Sequence, residues 1–162
     1  MINEISDKTI EFTKSLVGPG LCLEGIKEVT SLEGKTMADC LPAISFEYTG
    51  QTDIDFQGNY LEVSPRFKFT LITSGFDEFE ACKREHLSLV CKLGNGGKIS
   101  GFLIAIAKFA CTCIDLGGGI KLLPVVDVGS ASFALREQDS GPWKFITEKN
   151  VRFVTQFRRH QF

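Results

Sequence analysis

The sequence has only two histidines, and a nucleophile–base pair would have to be built on one of them. His86 lies in the middle of a predicted helix, and His160 is the third residue from the end of the sequence. A histidine base needs a nucleophile within reach and a third group that orients its ring, and the spacing of neither residue supplies these partners. We therefore expect no catalytic residues and no enzyme activity. We expect His86 at the edge of its helix, with its polar end in water.

A metal site is the next chemistry that the residue types suggest. Cys82 and His86 are four residues apart and would share one helix face, and Cys91, Cys111 and Cys113 follow. A Cys-x-Cys pair diverges on a helix or a strand, and the sequence has no Cys-x-x-Cys pair of the kind that structural zinc sites usually contain. We expect the six cysteines to be reduced thiols among apolar neighbours, with no metal bound.

Two glycine-rich segments, residues 94–97 (GNGG) and 117–119 (GGG), are the candidates for a phosphate cradle. Neither has the G-x-G-x-x-G spacing, and neither leads into Gly-Lys-Ser/Thr at the start of a helix. Both are predicted to be tight or flexible loops, and no cofactor is expected.

A basic cluster lies near the end of the sequence, at Arg152, Arg158, Arg159 and His160. It is predicted to be a solvated strand end, with contact to an acidic partner or to passing DNA as the alternative. The formal net charge of the whole chain is −2, which argues against a general nucleic-acid binder.

Composition indicates an ordinary globular protein. With 162 residues, 43% hydrophobic and 23% charged, the chain is predicted to form a single domain over residues 1–162. The 14 phenylalanines carry no polar group, so most are expected in a core or a partner interface. No signal peptide is visible at residues 1–4. The longest apolar run, residues 101–114, is shorter than the ~20 residues of a spanning helix, so no membrane partner is expected.

The elements that would position these residues follow from periodicity and turn signals. Residues 61–73 alternate between apolar and polar side chains, which predicts a strand of an antiparallel sheet with one apolar and one wet face. Residues 50–60 are predicted to be a long polar loop that joins this strand to the preceding one. Residues 102–113 fit a helix or a buried strand, and the helix is favoured. The other predicted helices cover residues 2–16 and a segment that starts within residues 74–77 and ends at Leu93. Strands are predicted over residues 21–24, 41–49, 61–73, 120–127 (an edge strand) and 151–157, and a turn over residues 137–142.

The order of these elements carries a resemblance to a known family. A helix precedes LPAISFEYTG, a connection leads to RFKFTLITSG, the helix FDEFEACKREHLSLVCKL follows at once, and NVRFVTQFRRHQF ends the sequence. This arrangement resembles the tail-terminator, or tail-completion, proteins of tailed bacteriophages and prophages, the contractile-tail type above all. The resemblance spans residues 2–93 and 150–157.

The resemblance implies an α+β fold, mainly an antiparallel sheet flanked by helices. It implies a structural protein that forms a homo-oligomeric ring, usually a hexamer, on the tail tube. Its partners would be further copies of the chain, tube and sheath proteins, and head or neck connector proteins, with DNA only as cargo. It would be located in the virion tail, and in the host cytoplasm during assembly.

Five residues are predicted to lie in the oligomer or partner interface: Ile54, Phe56 and Tyr60 in the loop, and Arg158 and Arg159 after it. Three alternatives stay open. One is a neck or head–tail connector protein of the same fold class. Another is a small ligand-binding domain with its pocket between the sheet and residues 102–113. The last is a metal-linked module that uses Cys82, His86 and Cys91.

Overall fold

The fold is taken from a computed structural model, which describes residues 1–31, 38 and 40–162. Within these residues the chain forms three α-helices, nine strands and two short 3₁₀ turns at Asn95–Gly97 and Arg159–Gln161. The helices are α1 (Ile2–Ser15), α2 (Phe79–Val90) and α3 (Phe102–Ala110). The strands are β1 (Glu28–Thr30), β2 (Ala43–Gln57), β3 (Tyr60–Gly75), β4 (Lys92–Leu93), β5 (Ile99–Ser100), β6 (Ile114–Gly117), β7 (Ile120–Val126), β8 (Ala131–Leu135) and β9 (Trp143–Arg158).

Seven of these strands form one curled sheet in the order β1-β2-β3-β9-β7-β6, with β8 also paired to β9. Among the strands of the described residues, only β1 and β2 form a parallel pair. β3 and β9 run antiparallel along almost their whole length, from Tyr60 opposite Arg158 to Gly75 opposite Trp143. The predicted class, an α+β fold with a mainly antiparallel sheet flanked by helices, is confirmed.

One face of the sheet carries an aromatic core. Phe46 of β2 stacks on Phe67 of β3 with ring centroids 4.8 Å apart, and Phe153 of β9 meets Phe67 edge-on at 5.3 Å. From α3, Phe109 meets Phe69 edge-on at 5.4 Å. All five rings are buried, and burying a large apolar side chain contributes about 2–3 kcal/mol. Much of the phenylalanine surplus is therefore explained by this core.

The other face of β3 is less exposed to solvent than its sequence predicts. Ser64 and Thr70 point away from the aromatic core, yet both are buried. β3 lies between two strands as long as itself, so neighbouring side chains such as the ion pair Lys68–Glu148, at 3.0 Å, cover the shorter ones.

Several predicted boundaries need correction. Residues 21–24 are consecutive turns and not a strand, because Gly18, Gly20 and Gly25 take positive φ values that wind the chain. The helix predicted to start at residues 74–77 begins at Phe79, since Ser74 and Gly75 still belong to β3.

The same helix ends at Val90, not at Leu93, because the chain must leave room for α3. A Cβ on Gly101 would lie 2.9 Å from the carbonyl oxygens of Leu89 and Val90, so only glycine allows this approach. Residues 92–93 instead form β4, which pairs with β5.

The predictions for the second half of the chain are mostly confirmed. The helix predicted over residues 102–113 is α3, which ends at Ala110. The strand predicted over 120–127 is β7, which ends at Val126, and the one predicted over 151–157 is part of β9, which begins at Trp143. The predicted edge strand is wrong, since β7 lies between β9 and β6, but Pro124 lies in the half of β7 that pairs with β9 and not with β6. Strand β8, with exposed Phe133 and Leu135, was not predicted.

Candidate functional site

The predicted loop over residues 50–60 is a β-hairpin arm. The register of β2 and β3 breaks after Tyr48, resumes at Thr52 opposite Pro65, and continues to Gln57 opposite Tyr60. A two-residue turn closes the hairpin, and Gly58 takes φ +62 at its first central position, as in a type II′ turn. The loop prediction was wrong because polar residues between two strands also form a strand when they alternate with apolar ones.

One side of the arm is an apolar surface. Ile54 pairs with Val63 and Phe56 pairs with Leu61, so these four side chains point the same way, and Phe157 opposite Leu61 joins them. Ile54 is 61% exposed and Phe56 is 72% exposed. We call the surface formed by Ile54, Phe56, Leu61 and Phe157 the apolar arm face.

The opposite side of the arm is polar. Arg66 binds the Asp53 carboxylate through both Nε, at 2.8 Å, and a terminal guanidinium nitrogen, at 2.6 Å. Both side chains are about half exposed, so the pair orders the surface more than it stabilises the fold. Tyr60 points to this side, since it precedes Leu61. Of the three residues predicted for an interface in this segment, Ile54 and Phe56 therefore lie on one side of the arm and Tyr60 on the other.

Tyr60 instead belongs with the two predicted arginines. It lies directly opposite Arg158 in the β3–β9 register, and the amide of Arg159 donates to the Asn59 carbonyl at 3.0 Å. His160 and Lys121, the second residue of β7, complete the group. We call the open depression lined by Tyr60, Lys121, Arg158, Arg159 and His160 the basic cleft; its larger part has a volume of about 820 Å³.

His86 occupies a different place from the one predicted. It is 1% exposed, and its two ring nitrogens contact the hydroxyls of Thr73, at 2.8 Å from Nδ1, and Thr147, at 2.7 Å from Nε2. Thr147 also bonds the Ser132 hydroxyl at 2.9 Å, so one network joins β3, α2, β9 and β8. Burial lowers the pKa of His86 from 6.5 to about 4. The helix-edge prediction failed because β9 covers this face of α2.

The cysteines are placed differently from the prediction as well. Cys82 is buried, but Cys40, Cys91, Cys111 and Cys113 are exposed. All six cysteines lie in the described residues, and all are free. Within residues 1–31, 38 and 40–162, no cluster of three or more His, Cys, Asp or Glu side chains is arranged to hold a metal ion.

The space between the sheet and α3 is filled. The cavity lined there by Ile44, Phe69, Phe102 and Phe109 has a volume of about 10 Å³, no more than one water molecule needs. The side chains of the aromatic core therefore fill the space in which the ligand-binding alternative placed its pocket.

No helix in the described part of the chain is long and apolar enough to cross a membrane. No protein-family model matches the sequence, and no curated protein matches it.

Proposed function

We propose that this chain is a structural assembly protein of a phage or phage-derived tail. It caps the end of the tail tube as a homo-oligomeric ring and offers its other face to the head or neck. It acts stoichiometrically, by occupying a site, and not by catalysis. It belongs to the virion tail and assembles in the cytoplasm of the bacterial host.

The observation that carries this proposal is the apolar arm face. Isolated apolar side chains on a surface are common, but Ile54 and Phe56 are neighbours on a projecting hairpin, and Leu61 and Phe157 extend the same surface. Covering them with a protein partner would recover about 25 cal/mol for each Å² of apolar surface removed from water.

The strand edges support a head-to-tail ring of identical subunits. β1 covers β2 only from Ala43 to Ser45, so in the described residues the outer edge of β2 has no strand partner from there to Gln57. At the other side of the sheet, β9 is the one strand of the described chain that pairs with β8, and β8 exposes Phe133 and Leu135. Two different unpaired edges on one molecule allow a heterologous contact, which is the kind that closes a ring.

The two segments that carry the family resemblance agree with this geometry. LPAISFEYTG and RFKFTLITSG lie in β2 and β3, which pair side by side and extend into the arm. The residues that resemble the family therefore support the surface that we propose for assembly.

Native mass spectrometry across a range of protein concentrations tests the proposal. We expect a discrete ring-sized oligomer that grows at the expense of the monomer as concentration rises. The double change Ile54→Ser and Phe56→Ser should shift the population to the monomer, because it removes the exposed apolar surface without touching the aromatic core.

Phe76→Ser is the matched control, since Phe76 is 82% exposed but lies outside the arm, between β3 and α2. It should leave the oligomer unchanged. A wild-type chain that stays monomeric at every concentration would contradict the proposal. So would a control that weakens the oligomer as much as the double change does.

A further inference from the structure

We propose that the basic cleft binds the phosphodiester backbone of a nucleic acid. This inference is independent of the ring, because the cleft and the apolar arm face lie on opposite sides of the arm. It also assigns a function to Lys121, which the family resemblance does not place in any site.

The cleft concentrates positive charge on a chain whose net charge is −2. Lys121, Arg158 and Arg159 bring three permanent cations to one depression, and His160 lies among them. None of the residues that line it, all within the described part of the chain, is acidic. Glu62, two residues along β3 from Tyr60, is a carboxylate beside the cleft, where it accepts a hydrogen bond from the Gln156 amide at 3.3 Å; the three cations outnumber it.

The cationic side chains are available to a ligand. Lys121, Arg159 and His160 make no side-chain hydrogen bond or ion pair with any described residue. The backbone below them is fixed, since the Arg158 amide donates to Gln161 at 2.8 Å and the Arg159 amide donates to Asn59. The charges are thus held together by the end of the sheet and do not have to be gathered on binding.

The remaining groups favour a nucleic acid over an acidic peptide. Tyr60 is 43% exposed in the middle of the cleft, where its ring can stack on a base or a sugar. The side-chain carbonyl of Gln161 is held by the Arg158 amide, which leaves its NH2 group to donate to a phosphate or a base edge. Arginine binds phosphate oxygens through two parallel N–H groups, and the cleft holds two arginines.

Fluorescence anisotropy with a short labelled single strand and with the matching duplex tests the inference, at about 50 to 200 mM salt. Three phosphate contacts predict a slope of log affinity against log salt of about −2 for the single strand and about −3 for the duplex. The double variant Arg158→Gln/Arg159→Gln should bind about tenfold or more weakly. Because one of the three phosphate contacts remains, the magnitude of its salt slope should fall below about 1.

The double variant Lys83→Gln/Arg84→Gln is the matched control, because it removes two exposed positive charges from α2. It should bind like the wild type. All four altered side chains are exposed, and unchanged thermal unfolding would show that both variants are folded.

Tyr60→Ala separates the two sources of phosphate. A loss with the single strand alone identifies stacked, unpaired bases as the ligand, and unchanged binding to both probes identifies the duplex backbone. The inference is overturned by no binding at low salt or by equal losses in the two double variants. It is also overturned if polyglutamate displaces the DNA at equal charge concentration, since the partner is then an acidic protein.

Discussion

The buried imidazole of His86 makes the stability of this fold depend on pH in a window that can be worked out from its surroundings. His86 holds α2 on the sheet through Thr73 and Thr147, and the ring of Phe145 lies 5.7 Å from its own. Burial is the sole cause of its lowered pKa, with no neighbouring charge contributing. The neutral form is therefore the one that the folded protein stabilises.

The direction follows from proton binding. In the unfolded chain His86 takes up a proton as the pH falls through about 6.5, whereas in the folded protein it does so only near pH 4. Between these values the unfolded state binds more protons, so the free energy of unfolding falls as the pH falls. The full stabilisation is present above about pH 6.5, and it is lost progressively down to about pH 4.

The size of the loss is set by the pKa difference. At about 1.4 kcal/mol for each pKa unit, the difference between 6.5 and about 4 gives about 3 kcal/mol. This value is an upper one, because both threonine hydroxyls can accept hydrogen bonds from a protonated ring. It is still a large fraction of the ~5–15 kcal/mol that stabilises a typical domain.

Urea unfolding from pH 7.5 to pH 4 measures this loss, with His86→Gln as the reference. The variant keeps a polar, uncharged side chain at this position, so it should be less stable at pH 7.5 by about 1 kcal/mol. Its stability should then fall less than that of the wild type, since carboxylates contribute equally to both chains. His160→Gln, at the exposed end of the sequence, controls for the loss of a histidine elsewhere.

Parallel curves for the wild type and His86→Gln between pH 6.5 and pH 4 would refute this reasoning. A titration of the ring by NMR gives an independent check, because the His86 resonances should change near pH 4 and not near 6.5.

Two further predictions concern the packing of α3 against α2 and of the aromatic core. Gly101→Ala should destabilise the fold by about 3 kcal/mol, because the new Cβ meets two carbonyl oxygens at 2.9 Å and the residue has φ +111. Gly96→Ala is the control, since Gly96 has φ +74 but open space around it, and it should cost only about 1 kcal/mol. Thermal unfolding of the two variants measures the difference. Phe153→Ala should cost about 3–5 kcal/mol in chemical denaturation, since it opens the aromatic core, whereas Phe76→Ala should change stability by less than about 0.5 kcal/mol. A small loss for Phe153→Ala would mean that the core is not packed around that ring.

The sequence predicted local elements better than long-range ones. The alternation of residues 61–73 and the helical spacing of residues 2–16 depend on nearby residues, and both elements are present. The arm could also have been predicted, because polar and apolar side chains alternate from Asp53 to Phe56 and Gly58-Asn59 is a dipeptide typical of hairpin turns. Its polar composition obscured this signal and favoured a loop.

The environment of His86 could not be predicted in the same way. Its helical spacing gives the face of α2 on which it lies, but not which strand covers that face. The hydroxyls that bond it come from residues 13 and 61 positions away, and Ser132 joins the network from a strand that was not predicted.

The basic cleft contains residues that a sequence pattern identifies and residues that it does not. Arg158 and Arg159 stand out as a charged pair, but Lys121 reaches them only because β7 pairs with β9 and the register sets Leu123 opposite Val154. Tyr60 joins them because it precedes Leu61 in β3 and lies opposite Arg158 of β9, which puts its side chain on the side away from the apolar arm face. The same alternation that divides the arm into an apolar and a basic side therefore makes its two proposed contacts separable. A loss of assembly without a loss of nucleic-acid binding, or the reverse, assigns each side its own partner.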